Sequence, residues 1–174
     1  MTTRQLAAAV GVTEPVIYEH FASKRVLYDE ILLEESKLQV AEFVRSLEPF
    51  ERARDDNGFF RQAGSFLLSR VSKDPAKLRF LLQVLLEGGE SARLFYENQV
   101  LPTHEYLCGY IEKRVAEGAF RAINSRIATR QFISFVVYHN SLQQLVDDRF
   151  LGKTNNDVIA EVVTNFLHGI EKAR

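Results

Sequence analysis

The sequence predicts an all-α protein, in which an N-terminal helix-turn-helix unit is joined to a helical-bundle domain. Two observations support this prediction. No segment of the 174 residues alternates apolar and polar side chains with the period of two that a half-buried strand requires. Apolar residues recur instead three and four positions apart along nearly the whole chain. The apolar share of 46% and the thirteen phenylalanines are sufficient for a sizeable core.

The first twenty residues predict two short helices joined by a glycine turn. Thr2 is a favourable N-cap, and Gln5 three positions later completes a capping-box pattern. Gly11 stands where a chain leaving a helix can adopt positive φ without a Cβ clash. Thr13 is the predicted N-cap of the second helix, and Pro15 in its first turn needs no backbone donor there.

The apolar residues of these two helices predict how the helices pack. Leu6 and Val10 lie one turn apart on the first helix, and Ile17 and Phe21 lie one turn apart on the second. We expect these four side chains to close on one another, with Ile31 of the following helix as a further member. Two helices packed in this way form a helix-turn-helix, whose second helix normally enters the major groove of DNA.

Capping residues and helix-breaking residues predict where the next helices begin and end. Ser23 is the predicted N-cap of a long helix that runs towards Glu48-Pro49, where a linker to the second domain is expected. Residues 51–58 are polar and predict a loop or a frayed helix start. A helix with regular apolar spacing then follows over residues 59–71.

The middle of the chain predicts one buried helix and one interrupted helix. Asp74-Pro75 opens a helix in which residues 78–86 are apolar nearly all round, so burial on most sides is expected. Gly88-Gly89 ends it. A longer helical segment reaches residues 116–118, and Pro102 predicts a kink within it.

Two amphipathic helices close the chain. Asn124 or Ser125 is the predicted cap of the first, and Asn156 is the predicted cap of the second, after a break at Gly152. The apolar side of the first comprises Ala128, Phe132, Phe135, Val136, His139, Leu142 and Val146. Two stripes with so few charges need a partner surface, either within one subunit or on a second copy.

The charge, the cysteine count and the apolar runs of the sequence limit which classes of function are possible. The net charge is −1, so any nucleic-acid binding must depend on a local patch. The single cysteine, Cys108, permits no intramolecular disulfide and suits a reducing cytoplasm. No apolar run approaches the roughly 20 residues of a membrane span, and no signal peptide is present. We therefore expect a cytoplasmic protein without a membrane partner.

Catalytic and metal motifs are missing from the sequence. The four histidines His20, His104, His139 and His168 are scattered, without the spacing of a zinc site. There is no glycine-rich phosphate loop and no nucleophile elbow. Cys108 has no basic neighbour in sequence, so a buried structural thiol is expected. These observations predict a protein that is not an enzyme and has neither metal nor cofactor.

The order of residues near the N-terminus carries a specific resemblance. Residues 2–27 contain the pattern T-T-R-x-L-A-x-x-x-G-V-T-x-x-x-I-Y-x-H-F-x-S-K-x-x-L, which closely resembles the DNA-binding motif of TetR-family transcriptional regulators. The resemblance implies a DNA-binding domain over residues 1–44 and an effector-binding and dimerisation domain over residues 45–174. It also implies a homodimer formed through the last two helices, which would bind a palindromic DNA operator. The family's mechanism implies a ligand-responsive repressor.

The resemblance also implies roles for individual residues. Tyr18 and His20 would contact phosphate oxygens, and Lys24 would do so from the start of the next helix. Val16 could touch a thymine methyl group. Glu14 and Glu19 either accept from the amino group of cytosine or lower nonspecific affinity. The full set of candidate DNA-binding residues is Thr2, Thr3, Thr13, Glu14, Pro15, Val16, Tyr18, Glu19, His20 and Lys24.

Compared with the family motif, this sequence begins at the motif's second helix. The resemblance implies a further helix that packs beneath the recognition helix, so we expect the DNA-binding unit to be incomplete. On this expectation residues 2–21 open at low free-energy cost and DNA binding is weak.

An effector pocket is expected among the helices of the second domain, because they combine high apolar content with few polar groups. Tyr106 and Asn140 are polar groups that could help to orient a ligand. Such a lining suits a neutral or weakly acidic apolar compound. The candidate ligand-binding residues are Phe66, Leu82, Leu85, His104, Leu107, Tyr110, Phe132, Phe135 and His139.

Two other function classes remain open on the sequence alone. One is an all-α enzyme or ligand carrier, against which the missing catalytic motifs argue. The other is a ligand-binding or protein-interaction module that has lost DNA binding.

Overall fold

The computed structural model describes residues 7–8, 11–71, 75–146 and 150–171. Within these ranges the regular structure is helical, and the only β-type pairing is one isolated antiparallel bridge between Phe120 and Glu171. The all-α fold class is therefore confirmed. The elements are α1 (Glu14–His20), α2 (Lys24–Ala53), α3 (Asp56–Val71), α4 (Pro75–Glu87), α5 (Gly89–Phe95), a π-helical turn (Tyr96–Val100), α6 (Leu101–Ala116), α7 (Ser125–Val146) and α8 (Asn155–Ile170).

Side-chain caps define three of the helix starts. The Val26 amide donates to Ser23 Oγ at 3.3 Å, and the Ile127 amide donates to Asn124 Oδ1 at 3.0 Å. Both caps agree with the sequence prediction. The predicted cap of the last helix, Asn156, is wrong, because Thr154, two residues earlier, is the N-cap and forms a reciprocal capping box with Asp157.

The long helix α2 does not end at Pro49 as predicted, but continues to Ala53. A proline removes only one backbone hydrogen bond, and the tertiary contacts on both sides of Pro49 outweigh that loss. Leu47 is fully buried, and Phe50 packs against the main core. Arg54 then ends the helix in the left-handed conformation, with a φ of 55°.

Helix α3 lies at the centre of the bundle and provides the aromatic core. Phe59 stacks on Tyr110 of α6, with ring centroids 3.6 Å apart. Phe60 contacts Phe132 of α7 at 5.2 Å and Phe166 of α8 at 5.0 Å, in each case edge to face. These contacts connect three helices to α3, so the aromatic cluster largely determines the arrangement of the bundle.

Helix α4 is less buried than its composition predicts. Leu78 and Val84 are buried, but Leu85 is exposed and Leu86 is 88% exposed. The prediction that residues 78–86 are buried on most sides is therefore wrong. Helix α4 lies at the edge of the bundle, where it packs on α3, α5 and α7 with one face only.

The helix breaks on either side of α5 agree with the sequence prediction. Gly88 and Gly89 both have positive φ, 67° and 74°, which lets the chain leave α4 and start α5 at once. The expected interruption near Pro102 is a π-helical turn that directly precedes α6. Because Pro102 has no amide hydrogen, it cannot donate to the carbonyl one turn earlier.

The apolar side predicted for α7 is only partly buried. Ala128, Phe132, Val136 and His139 are buried and Leu142 is half-buried, as expected. Two residues assigned to the same side, Phe135 and Val146, are exposed. Helix α7 therefore keeps an apolar surface outside the core of its own subunit.

Candidate functional site

The turn of the helix-turn-helix is built as the sequence predicts. Ala7 and Ala8 are helical, and Gly11 follows with a φ of 74°. The Val12 amide donates to the Ala7 carbonyl at 3.0 Å and closes the turn. Thr13 occupies the N-cap position of α1, although its hydroxyl makes no capping hydrogen bond.

A small apolar cluster holds α1 in place. Ile17 is buried against Ala7 and Leu27, and the half-buried Phe21 packs beside them. Ile31, which the sequence assigned to this cluster, is exposed, so that prediction is wrong. Leu27 provides the contact one turn earlier on α2. The predicted partners Leu6 and Val10 lie outside the described residues.

The opposite side of α1 faces solvent. Pro15, Tyr18, Glu19 and His20 are exposed, while Glu14 and Val16 are half-buried. This surface is available to a DNA groove because Ile17 occupies the inner face. Among the other candidate residues, Thr13 and Lys24 are exposed, and Thr2 and Thr3 lie outside the described residues.

The electrostatics of this surface depend on few groups. Lys24 is the first residue of α2, where the free amide groups and the helix dipole add to its positive charge. Arg25 lies 3.7 Å from Asp29, which offsets part of its charge. Helix α1 itself contains Glu14 and Glu19 but neither lysine nor arginine. The positive potential is thus concentrated at the start of α2.

The candidate ligand-binding residues do not converge on one cavity. Leu107, Tyr110 and Phe132 belong to the closed core, and the Tyr110 hydroxyl donates to Asp56 at 2.6 Å. Phe66 packs against this core, Leu82 is half-buried, Leu85 and Phe135 face outward, and the buried His139 lies 3.4 Å from Asn155.

Two grooves flank helix α7 instead. A groove of about 370 Å³ lies between α7 and α8. A second groove, which we call the α6–α7 groove, has a volume of about 510 Å³. Of the nine candidate ligand-binding residues, His104 alone borders it. The lining is Tyr96, Leu101, His104, Glu105, Cys108, Gly109, Glu112, Arg126, Ile127, Thr129 and Arg130.

The sequence analysis missed most of the α6–α7 groove because it forms only where two helices meet. Arg126, Thr129 and Arg130 share one side of α7, a spacing that by itself is typical of any solvated helix face. Cys108 was expected to be a buried thiol, and its burial is confirmed. That burial raises the pKa of the thiol.

The part of the chain that the structure describes contains neither a membrane-spanning helix nor a metal-binding cluster. No helix there is both long and apolar enough to cross a membrane. No group of three or more histidine, cysteine, aspartate or glutamate side chains in the same ranges is arranged to hold a metal ion.

The N-terminal segment and the chain as a whole are each similar to known proteins. Residues 1–31 match the sequence profile described as "Bacterial regulatory proteins, tetR family". The nucleoid occlusion factor SlmA of Escherichia coli is 26% identical over 161 residues, which are 90% of this chain and 78% of SlmA.

Solved structures show the same fold. A TetR-family transcriptional regulator from Mesorhizobium loti superposes with a TM-score of 0.84 at 14% identity, covering 99% of this chain and 87% of that one. The flavonoid-responsive regulator FrrA superposes with a TM-score of 0.64 at 23% identity, covering 97% of this chain and 85% of FrrA. The chain therefore has the fold of TetR-family regulators, and its residues 1–31 match the N-terminal helix-turn-helix segment of that family.

Proposed function

We propose that the protein is a ligand-responsive repressor that binds a palindromic DNA operator as a homodimer. The observation that carries this proposal is the packing of α1 on α2. Ile17 fixes α1 on Leu27 of α2, and the exposed side of α1 points away from that contact. Helix α2 then runs without a break for 30 residues into the main core. A shift of the core against α2 would therefore reposition the recognition helix.

Dimerisation through α7 and α8 is supported by the surface of α7. Ile127 and Tyr138 are 67% and 64% exposed, and Leu145 is exposed as well. These three residues lie within about 20° of one another around the helix, at 100° per residue. Such an apolar stripe suits a two-fold four-helix interface, which would also set the spacing of two recognition helices.

A response to a small apolar molecule is supported by two observations. FrrA, a structural neighbour, is described as flavonoid-responsive. In this chain the α6–α7 groove provides a concave surface of a size that small-molecule sites commonly have. The ligand would act by population shift. It would stabilise a conformation in which the distance between the two recognition helices no longer matches the operator.

Replacing Lys24 with alanine should weaken DNA binding by a similar factor on every sequence, because this residue is expected to contact phosphate. Losing one such contact should lower the slope of log affinity against log salt by about 1. Tyr18→Phe should also act on all sequences alike, whereas substitutions of Glu14 or Glu19 should change which bases are preferred. Selection of bound sequences from a random DNA pool would identify the operator, and titration at several salt concentrations would give the slopes.

Lys37→Ala is the matched control, since this exposed lysine lies further along the same helix and is paired with Glu34 at 2.8 Å. It should leave both affinity and slope unchanged. The role assigned to Lys24 is wrong if Lys24→Ala changes the base preference but leaves the salt slope intact.

Replacing Tyr138 with glutamate should raise the dimer dissociation constant at least tenfold, because two charges would be buried at the two-fold interface. Sedimentation velocity over a range of concentrations measures the change. Leu38→Glu is the matched control, since Leu38 is also 64% exposed but lies on α2. A monomeric wild-type protein, or a Tyr138→Glu variant that dimerises normally, would contradict this interface.

One observation favours the alternative of a protein-interaction module without DNA binding: α1 contains two glutamates and no basic residue other than His20. The random-pool selection separates the two functions. Enrichment of a palindrome supports the repressor, whereas no DNA retained even at low salt supports the alternative.

A further inference from the structure

We infer that the α6–α7 groove binds a small monocarboxylic acid with an apolar body, and that this acid is the effector. The effector role depends on the function proposed above, whereas the binding site can be tested without DNA. This assignment is supported by the shape of the groove, the charges on its two walls, one unpaired hydroxyl group and a hydrogen-bonded connection to α2.

The lining of the groove includes both apolar and polar side chains. Tyr96 and Leu101 provide apolar surface near the π-helical turn, and Ile127 provides it on α7. A volume of about 510 Å³ is sufficient for a molecule with one or two rings. Burying such a body against these side chains provides the hydrophobic part of the affinity.

The charges favour a carboxylate on the α7 wall. Arg126 and Arg130 are one turn apart, and neither forms an ion pair with any acidic residue that the structure describes. On the α6 wall, Glu112 accepts a hydrogen bond from Ser125 at 2.7 Å and another from Cys108 at 3.4 Å. These two bonds, followed by the charge of Arg126, lower the pKa of Glu112.

The positions of the acidic residues limit how an anion can bind. Glu105 and Glu112 both belong to α6, so the ligand carboxylate must lie against α7, away from that wall. Arg130 is then the main anchor, because the charge of Arg126 is partly offset by Glu112. A guanidinium can bind both oxygens of one carboxylate, which gives orientation as well as affinity.

Thr129 provides the second polar contact. It lines the groove from α7, three residues after Arg126 and one residue before Arg130. Its side chain is 1% exposed, and its Oγ1 has no hydrogen-bond partner within the described part of the chain. Buried hydroxyl groups are nearly always paired. A rotation of the Thr129 side chain toward the groove would let a carboxylate held by Arg130 accept the missing hydrogen bond.

The wall that carries Tyr96 and His104 is connected to the helix that bears the recognition helix. His104 Nδ1 donates to the Val100 carbonyl at 2.7 Å, which joins the groove wall to the π-helical turn. From that turn, Gln99 accepts from Ser36 at 3.2 Å and donates to Gln39 at 3.1 Å. Both partners are buried residues of α2. A ligand that moves the groove wall therefore acts directly on α2.

Titration calorimetry of the full chain with 2-naphthoate tests the site, with 2-naphthamide as the uncharged analogue of the same shape. We expect saturable binding of 2-naphthoate, at least tenfold tighter than that of the amide. Arg130→Ala should weaken 2-naphthoate binding at least tenfold and leave the amide unaffected. Arg61→Ala, which removes an exposed arginine from α3, should change neither.

Thr129→Val is a second, independent test, because it should separate a loss of ligand binding from a loss of stability. It should raise the melting temperature of the free protein, because an unpaired buried hydroxyl is replaced by a methyl group, and it should weaken 2-naphthoate binding. Equal affinity for the acid and the amide, no saturable binding of the acid at millimolar concentration, or unchanged binding by Arg130→Ala would each overturn the site.

The effector role is tested separately, by the release of operator DNA. Saturating 2-naphthoate should release operator DNA from the wild-type protein, and Gln99→Ala should bind 2-naphthoate normally but release DNA less. If the acid binds and DNA affinity does not change, the site stands and the effector role is overturned. If no operator is found at all, the proposed repressor function fails while the calorimetry still decides the site.

Discussion

Replacing Phe60 with alanine is expected to destabilise the protein by about 3–5 kcal/mol, since Phe60 is fully buried where four helices meet. Its ring contacts Phe132 and Phe166 edge to face, and it also contacts Phe59 and Tyr110. Truncation would leave a cavity that four rigid rings cannot fill. Urea denaturation followed by circular dichroism measures the loss.

Phe135→Ala is the matched control, because Phe135 is the same residue type at an exposed position on α7. Its loss in the free energy of unfolding should be less than half of that for Phe60→Ala. Equal losses for the two variants would show that the aromatic cluster does not stabilise the bundle as described.

Replacing Asp56 with alanine should destabilise the protein by about 1.5–3 kcal/mol, because a largely buried arginine loses its bidentate acceptor and keeps only Glu117 as a carboxylate partner. Arg114 donates to Asp56 through Nε at 2.8 Å and through Nη2 at 2.9 Å, and the Tyr110 hydroxyl donates to the same carboxylate. The Arg114 side chain is 11% exposed. Burial, together with this hydrogen bond, raises the pKa of Tyr110, so the phenol stays neutral and remains a donor.

Two further variants separate the buried pair from an ordinary ion pair. Glu48→Ala breaks an exposed pair with Arg52, whose N–O distance is 2.7 Å, and should cost no more than about 1 kcal/mol. Adding Arg114→Met to Asp56→Ala should recover part of the stability, because the guanidinium that has lost its two hydrogen bonds to Asp56 is then removed. A double variant no more stable than Asp56→Ala alone would contradict this account. Urea denaturation applies to all of these variants.

Local chemistry made the helix-turn-helix predictable. Gly11 has the positive φ that the turn needs, Pro15 stands in the first turn of α1, and Ser23 caps α2. Each of these features depends on residues within three or four positions in sequence. Residue type and spacing were therefore sufficient to predict the elements and the exposed side of α1.

The errors occurred where distant contacts outweighed local preferences. Pro49 lies inside α2 because Leu47 and Phe50 are held by the core on either side of it. Leu85 and Leu86 are exposed because α4 lies at the edge of the bundle, which its uniformly apolar sequence could not reveal. Ile31 is exposed because Leu27, one turn earlier, already occupies the contact with Ile17.

The candidate ligand-binding residues show the same division. Apolar content and helical spacing identified Leu107 and Phe132 correctly as inward-facing, yet a core residue and a pocket residue share those properties. The α6–α7 groove instead combines charged and polar residues from two helices. Only the pairing of α6 with α7 brings His104, Arg130 and Thr129 to one surface.

The sequence by itself determined the helical class, the turn at Gly11, the face that α1 buries and the family that the N-terminal segment resembles. These properties depend on backbone preferences and on side chains a few positions apart, so they can be deduced from a linear pattern. Only the tertiary structure decided which apolar faces stay exposed on α4 and α7, and where a groove opens. Those features depend on which helices meet, and that follows from the packing of many side chains distant in sequence.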